Sequence, residues 1–282
     1  GENLDKPLVK EKRKPLSIND PKMSGKHKTV KDSIKWIESN IANKVTFEQI
    51  TDIDIANSIT ASLGAVYSKY NLNRLDKITV SRRGKRWASA HGGELDINSK
   101  FFTKEALENG YKKTVTDYGK DWEKSLSQWK ENLKDELAKG QDGLSSNIRY
   151  YERNIERIEK RLAIIDNYER HNFLNKNNIA KSIIDHELGH VIHDQFTGRL
   201  NGTYYLKNKS LTNEVRLKWN EEWKSIFRKT KKDNLIKNIS EYASSNDTEL
   251  WDESFAMYIG GEKANLPVII TDYIERYLRE FN

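Results

Sequence analysis

Residues 186 to 190 read His186-Glu187-Leu188-Gly189-His190, an HExxH pentapeptide. Two histidines four apart on an α-helix lie one turn apart on the same face, so both imidazoles can reach one Zn²⁺ ion. A zinc ion held there would lower the pKa of its water towards neutrality, and Glu187, beside it, is the natural general base to take the proton. Such a site has three protein ligands and one open position, so a third donor is expected elsewhere in the chain.

The residues around the motif have helical spacing. Ile179, Ile183, Ile184, Leu188, Val191, Ile192 and Phe196 outline a broad apolar face over 178–196, and Gly198 follows as a stop signal. Gly189 inside the helix costs about 1 kcal/mol of propensity against Ala, which points to close packing at that turn. His193, one turn beyond His190, reads as a surface or core-edge histidine.

The third donor is not a histidine. The extended pattern HExxHxxGxxH requires Gly at 193 and His at 196, where this chain has His193 and Phe196, and His27, His91 and His171 all lie upstream. A downstream carboxylate is the better candidate. Asn246 has the character of an N-cap, and the helix after it puts Glu249 and Glu253 on one face, four apart. One carboxylate can bind the ion while the other accepts the free ring N–H of a ligating histidine. Asn246-x-x-Glu249 also fits a capping box, which would turn Glu249 back onto the Asn246 backbone, and Glu253 would then lie on a solvated face. The phenol of Tyr242 can donate a hydrogen bond to a developing oxyanion, or simply pack at a helix start with its hydroxyl in solvent.

HELGH followed by Tyr242-x-x-x-Asn246-x-x-Glu249-x-x-x-Glu253-x-Phe255 resembles the catalytic domain of the anthrax lethal-factor-like zinc peptidases. That gluzincin family also includes the clostridial Pro-Pro endopeptidases, and similar segments occur in phage head-associated and mobile-element proteins. The resemblance spans Asp185 to Tyr258. It implies one Zn²⁺ per chain on His186, His190 and Glu249, with Glu253 orienting a ligand from outside, Glu187 as base and Tyr242 assisting the transition state. Where the family commonly has Gly after the Tyr and Ala before the second Glu, this chain has Ala243 and Asp252. These departures leave the ligands in place and the substrate preference open.

Composition suits a soluble enzyme of one large or two small domains. Among 282 residues, 36% are hydrophobic, with seven Trp, thirteen Tyr and eight Phe, enough for a substantial core. The absence of cysteine excludes disulfides and thiolate metal sites but fits cytoplasmic and secreted settings alike. No apolar run approaches the ~20 residues that span a bilayer, and no signal peptide is legible. The net charge of +7 concentrates in two stretches. Residues 1–29, rich in Lys, Arg and Pro, read as a flexible basic arm, and Lys207 to Lys232 as an amphipathic helix packing on Trp219, Trp223 and Ile226. No recognised nucleic-acid motif accompanies the charge.

The elements that must position the site follow in outline. Val30 to Ala42 and Phe47 to Tyr70 read as helices, and Lys77 to Arg82 as a strand. Arg86 to His91 and Glu94 to Asn98 form a hairpin about Gly92-Gly93. In zincin folds a sheet edge lies beside the metal and pairs with the substrate peptide, and Trp87, Ala88, Ser89 and Ala90 are the candidates for it, with an internal strand as the alternative. Residues 117–177 carry apolar positions at alternating spacings of four and three, interrupted at Lys139 to Gly143, the signature of an antiparallel coiled-coil hairpin whose arms reach roughly 30–40 Å. The hairpin would either lie on the domain as core or project over 117–170 to recognise a protein partner or substrate.

The expected whole is an α+β, predominantly helical, zincin-like (gluzincin) domain with a small mixed sheet and an inserted hairpin. Its segments would be the arm 1–29, helices and sheet 30–116, the hairpin 117–177, and the HExxH helix with a C-terminal helical part 178–282. The expected activity is zinc-dependent endopeptidase cleavage of protein or peptide substrates. A non-catalytic, zinc-stabilised binding or assembly module using the hairpin is the alternative.

Overall fold

The computed structural model describes residues 24–47, 49–82, 84, 86–91, 93–163, 178–197, 213–236 and 239–282. The fold is a predominantly helical α+β arrangement, divided into a larger unit (Gly1–Leu107 with His171–Asn282) and a smaller one (Glu108–Arg170).

The larger unit opens with α1 (Val30–Asn40), capped by the Thr29 side chain on the Asp32 N–H, and β1 (Ala42–Thr46). Helix α2 (Ile53–Lys69) follows, its first turn closed by the Asp52 carboxylate on the N–H groups of Asp54 and Ile55. Strand β1 fills the gap between the two expected helices, Val30 to Ala42 and Phe47 to Tyr70, and the second begins only at Ile53. The chain extends here because β1 lies parallel to β2 (Leu75–Ser81), with Ala42 opposite Leu75 and Val45 opposite Ile78. The Arg74 guanidinium fixes this junction by donating to the carbonyls of Glu38, Ser39 and Ala42.

Strands β3 (Ala88–His91) and β4 (Glu94–Asn98) form the expected hairpin, with Gly93 at φ +81. The sheet is mixed, in the order β1-β2-β4-β3, so β3 is an outer strand. Trp87 lies just before β3 rather than in it. Its carbonyl accepts the Asn98 N–H, and its ring packs near Phe101.

Helix α5 (Ile179–Thr197) carries the HExxH residues and packs against α2, β3 and α7 (Asp247–Ile259). Ile183, Ile184, Leu188, Ile192 and Phe196 are buried, as their spacing predicts, while Gly198 lies outside the described residues. Helices α6 (Asn213–Lys232) and α8 (Val268–Phe281) complete this unit. Trp219 and Trp223 of α6 meet Tyr273 of α8, and the buried Trp251 of α7 packs against Trp223, Tyr273 and Tyr277. This aromatic cluster ties α7 to α5, α6 and α8. His193 belongs to it, stacked on Tyr277 at 6.2 Å.

Residues 24–29, assigned to the flexible arm by their charge, are held on α2. The Gly25 N–H donates to Thr60 Oγ1 and the His27 N–H to Asn57 Oδ1, and His27 is buried against Trp36. The rest of the expected arm, 1–23, lies outside the described residues.

The smaller unit is built from α3 (Lys104–Ala138) and α4 (Ser145–Leu162), joined through a 3-10 turn at Gly140–Asp142. Its apolar centre is Trp122 and Ile158, flanked by Leu126, Trp129 and Leu162, with Lys130 ion-paired to Glu159. The heptad seam expected along the whole hairpin does not continue to the turn, since Leu137 and Leu144 are exposed. Polar closure takes over there. The buried Glu136 carboxylate accepts the Leu144 N–H at the start of α4 and pairs with Lys139. Residues 164–177 of the expected hairpin lie outside the described residues.

Because the smaller unit has its own apolar centre at Trp122 and Ile158, replacing 117–170 with a short Gly-Ser linker should leave the larger unit folded. Retention of a cooperative thermal transition by circular dichroism checks this. Collapse would show that the hairpin contributes to the main core.

Candidate metal centre

The centre is assembled from two helices that cross closely. Helix α5 presents His186, Glu187 and His190, and α7 presents Glu249, Asp252 and Glu253. Gly189 permits the approach. A Cβ placed there would sit 2.9 Å from Asp252 Oδ1 and 3.1 Å from Asp252 Cα, and the Gly189 carbonyl accepts the Trp251 indole N–H at 3.0 Å. Gly189→Ala gains about 1 kcal/mol of helix propensity but overpacks the crossing against Asp252, for a net loss of up to about 2 kcal/mol. Urea denaturation of the two proteins measures the difference.

The competition over Glu249 resolves at its two ends. Its backbone N–H is capped by Asn246 Oδ1 at 2.9 Å, while its carboxylate reaches into the centre. Oε1 accepts from the Tyr242 hydroxyl at 2.9 Å, and Oε2 lies 3.4 Å from His186 Nε2. Glu253 is fully buried and held at both oxygens. His186 Nδ1 is 2.9 Å from its Oε2, and the Ser240 hydroxyl donates to its Oε1 at 2.9 Å. The geometry expected for an orienting carboxylate is therefore present on His186. Ser240 had no signal in the sequence, because it acts from a non-helical segment before the Tyr242–Ser244 turn.

Asp252 is the other residue that spacing did not reveal. It is wholly buried, and its Oδ2 lies 3.0 Å from His190 Nε2. That approach is not aligned as a hydrogen bond, so both Asp252 oxygens, like Glu249 Oε2, have no hydrogen-bond partner among the described residues.

Four side chains, His186, His190, Glu249 and Asp252, could hold a metal ion, with one donor atom of each within 4.8 Å of the others. The 3.4 Å approach of Glu249 to His186 is close to the edge of about 3.3 Å between ligands that are 2.0–2.1 Å from a tetrahedral ion. The donor chemistry also fits a cation. Asp252, Glu253 and Glu187 are buried within one cluster beside Glu249, an arrangement that costs several kcal/mol unless positive charge offsets it.

Electrostatics separates the groups. Burial, reinforced by the Glu249 charge, pushes the Glu187 carboxyl up to about 7 against the pull of His186. Burial and the His186 charge bring His190 down to about 4. Burial alone would lower His186, but Glu249 and Glu253 together hold it well above the ordinary histidine value. Burial alone would raise Glu249, but His186 and Tyr242 bring it below its usual range. Asp252 is raised well above its usual range, by burial first.

Glu187 also connects the cluster to the sheet. The backbone N–H of Ala90 in the outer strand β3 is near enough to the Glu187 carboxyl to pull its pKa down. Ala88, Ser89 and Ala90 lie on an outer strand that packs on α5.

Compared with known proteins, the chain matches no family model, no curated protein and no solved structure.

Proposed function

We propose that this chain is a zinc-dependent endopeptidase, with His186, His190 and Glu249 as the metal ligands. The observation that carries the reading is the position of Glu187. It stands between the metal-binding cluster and the N–H of an outer strand, with its carboxyl at about 7. A purely structural metal site has no use for a buried carboxyl beside the ion that is not one of its ligands, whereas a general base must stand there.

When bound, the zinc ion would supply a Lewis acid for the scissile carbonyl and for the attacking water. Glu187 would take a proton from the water as its oxygen adds to the scissile carbonyl carbon, and would return it to the amine as the C–N bond breaks. Glu253 and Ser240 hold the His186 ring in one orientation by fixing its Nδ1 side. Tyr242 rests on Glu249 and is close enough to the same carboxylate to turn its hydroxyl towards a developing oxyanion. Ala88, Ser89 and Ala90 offer backbone groups along which an extended peptide can lie. The zincin-like fold belongs to the same proposal, supported by an HExxH helix packed beneath the outer strand of a mixed sheet.

One observation favours a second reading. Asp252 supplies a fourth donor, and four protein ligands would close the centre and make it structural, as in a binding or assembly module. The experiment that separates the two is cleavage of a diverse peptide mixture, read by mass spectrometry, with protein as purified, chelated, and chelated then given zinc. Cleavage lost on chelation and restored by zinc supports the peptidase. Bound zinc with no cleavage and four protein donors supports the module.

A further inference from the structure

The two ligating histidines meet consecutive carboxylates on α7. Glu253 engages His186 at Nδ1, 2.9 Å away, and Asp252 engages His190 at Nε2, 3.0 Å away. We propose that Asp252 is a positioning residue for His190, a counterpart of Glu253 on His186, and not itself a metal ligand. The inference rests on the metal-centre reading above.

Burial and surroundings favour this role over direct ligation. Asp252 has no exposed surface and packs against Gly189, while Glu249 and His190 keep partial exposure. Water and substrate must reach an ion from the exposed side. A carboxylate behind an imidazole fixes the ring's rotation and tautomer and raises its basicity as a ligand. The loose alignment of the 3.0 Å approach is the usual state of such a contact before the ligand is in place. The two pairs also differ in a readable way. Glu253 meets Nδ1 of His186 and leaves Nε2 for an ion, whereas Asp252 meets Nε2 of His190. The proposed role therefore requires Nδ1 to be the ligating atom of His190, which the ring tautomer reveals. The orphaned oxygens of Asp252 gain a partner once His190 Nε2 carries a proton and turns it towards them.

The test uses the full chain with zinc as the only added ligand. Affinity is measured by competition with a chromophoric chelator for the parent, Asp252→Ala and Asp252→Asn. Histidine ring tautomers are read by long-range ¹H–¹⁵N NMR, and ligand number by X-ray absorption. Asp252→Ala should bind zinc about 10- to 100-fold more weakly. Asp252→Asn, which keeps one acceptor oxygen, should fall between it and the parent. Ring signals of His190 should change while those of His186 stay, with the number of ligands to zinc unchanged. If Asp252→Ala does not fold, Asp252→Asn carries the test, since it retains the shape that packs on Gly189. Equal affinity in parent and variants would overturn the inference. Loss of one ligand in the variants would overturn it too, in favour of direct ligation. A parent that binds no zinc would overturn the metal-centre reading and this inference together, an outcome distinct from either.

Discussion

Glu187→Gln should retain zinc and the fold yet cleave peptides about 10²- to 10⁴-fold more slowly, the range that positioned acid–base catalysis contributes. The substitution is nearly isosteric, so the Ala90 N–H still has an amide oxygen nearby, and α5 keeps its packing on β3. What disappears is the group that accepts the proton from water. Tyr242→Phe should cost about 10²-fold, the loss typical of one oxyanion donor. Comparison of kcat for the three proteins on one peptide, at matched zinc content, checks both. Undiminished turnover by Glu187→Gln would remove the mechanism.

The second large effect concerns metal retention and its pH dependence. His186→Ala and Glu249→Ala should each weaken zinc binding by more than the 10- to 100-fold expected when only an orienting partner is removed, as in Glu253→Ala. The direction with pH follows from the buried charges. In the metal-free protein, Glu187 is raised from 4.5 to about 7, so its contribution to stability is complete below 4.5 and is lost as pH rises towards 7. His186, also raised, acts in the same direction, its contribution fading as pH passes through its elevated value. Asp252, raised, adds to the same trend, whereas Glu249, lowered, acts only below its usual 4.5. The opposing contribution in this range is that of His190, lowered from 6.5 to about 4, which grows as pH rises to 6.5 and is outweighed by the three raised groups. Zinc reverses the balance at higher pH, because binding displaces the His186 proton and neutralises the carboxylates. Chelated protein should therefore melt at lower temperature on going from about pH 5 to about pH 8, while zinc-loaded protein should not. Parallel melting curves in the two states would contradict the assignment of these groups to the metal site.

The residues most legible in the sequence are those whose roles depend on helical period. His186 and His190, or Glu249 and Glu253, share a face because they are four apart on α5 and α7, and the structure brings the two faces together. Gly189 was legible as a close contact, though its partner was not. That partner, Asp252, registered only as a departure from a family pattern, because its importance comes from the crossing of α5 over α7 and not from any spacing along the chain. Ser240 was invisible for a similar reason, since it reaches Glu253 from irregular backbone. Strand β1 escaped notice because it has five residues and is held by parallel pairing with a distant strand, whereas the β3–β4 hairpin carried its own turn signal. In the smaller unit the heptad spacing located the Trp122–Ile158 contact correctly. It overran at the turn, where a buried Glu136 that closes α4 replaces the apolar seam.

The most direct test of the central claim is a stoichiometric zinc titration of chelated protein, with peptide cleavage followed at every addition. Hydrolysis by a single-site zinc enzyme requires activity to rise from zero in proportion to zinc and to stop rising at one equivalent per chain. Activity that is independent of zinc, or one tightly bound equivalent that brings no cleavage of any peptide in a diverse mixture, would contradict it.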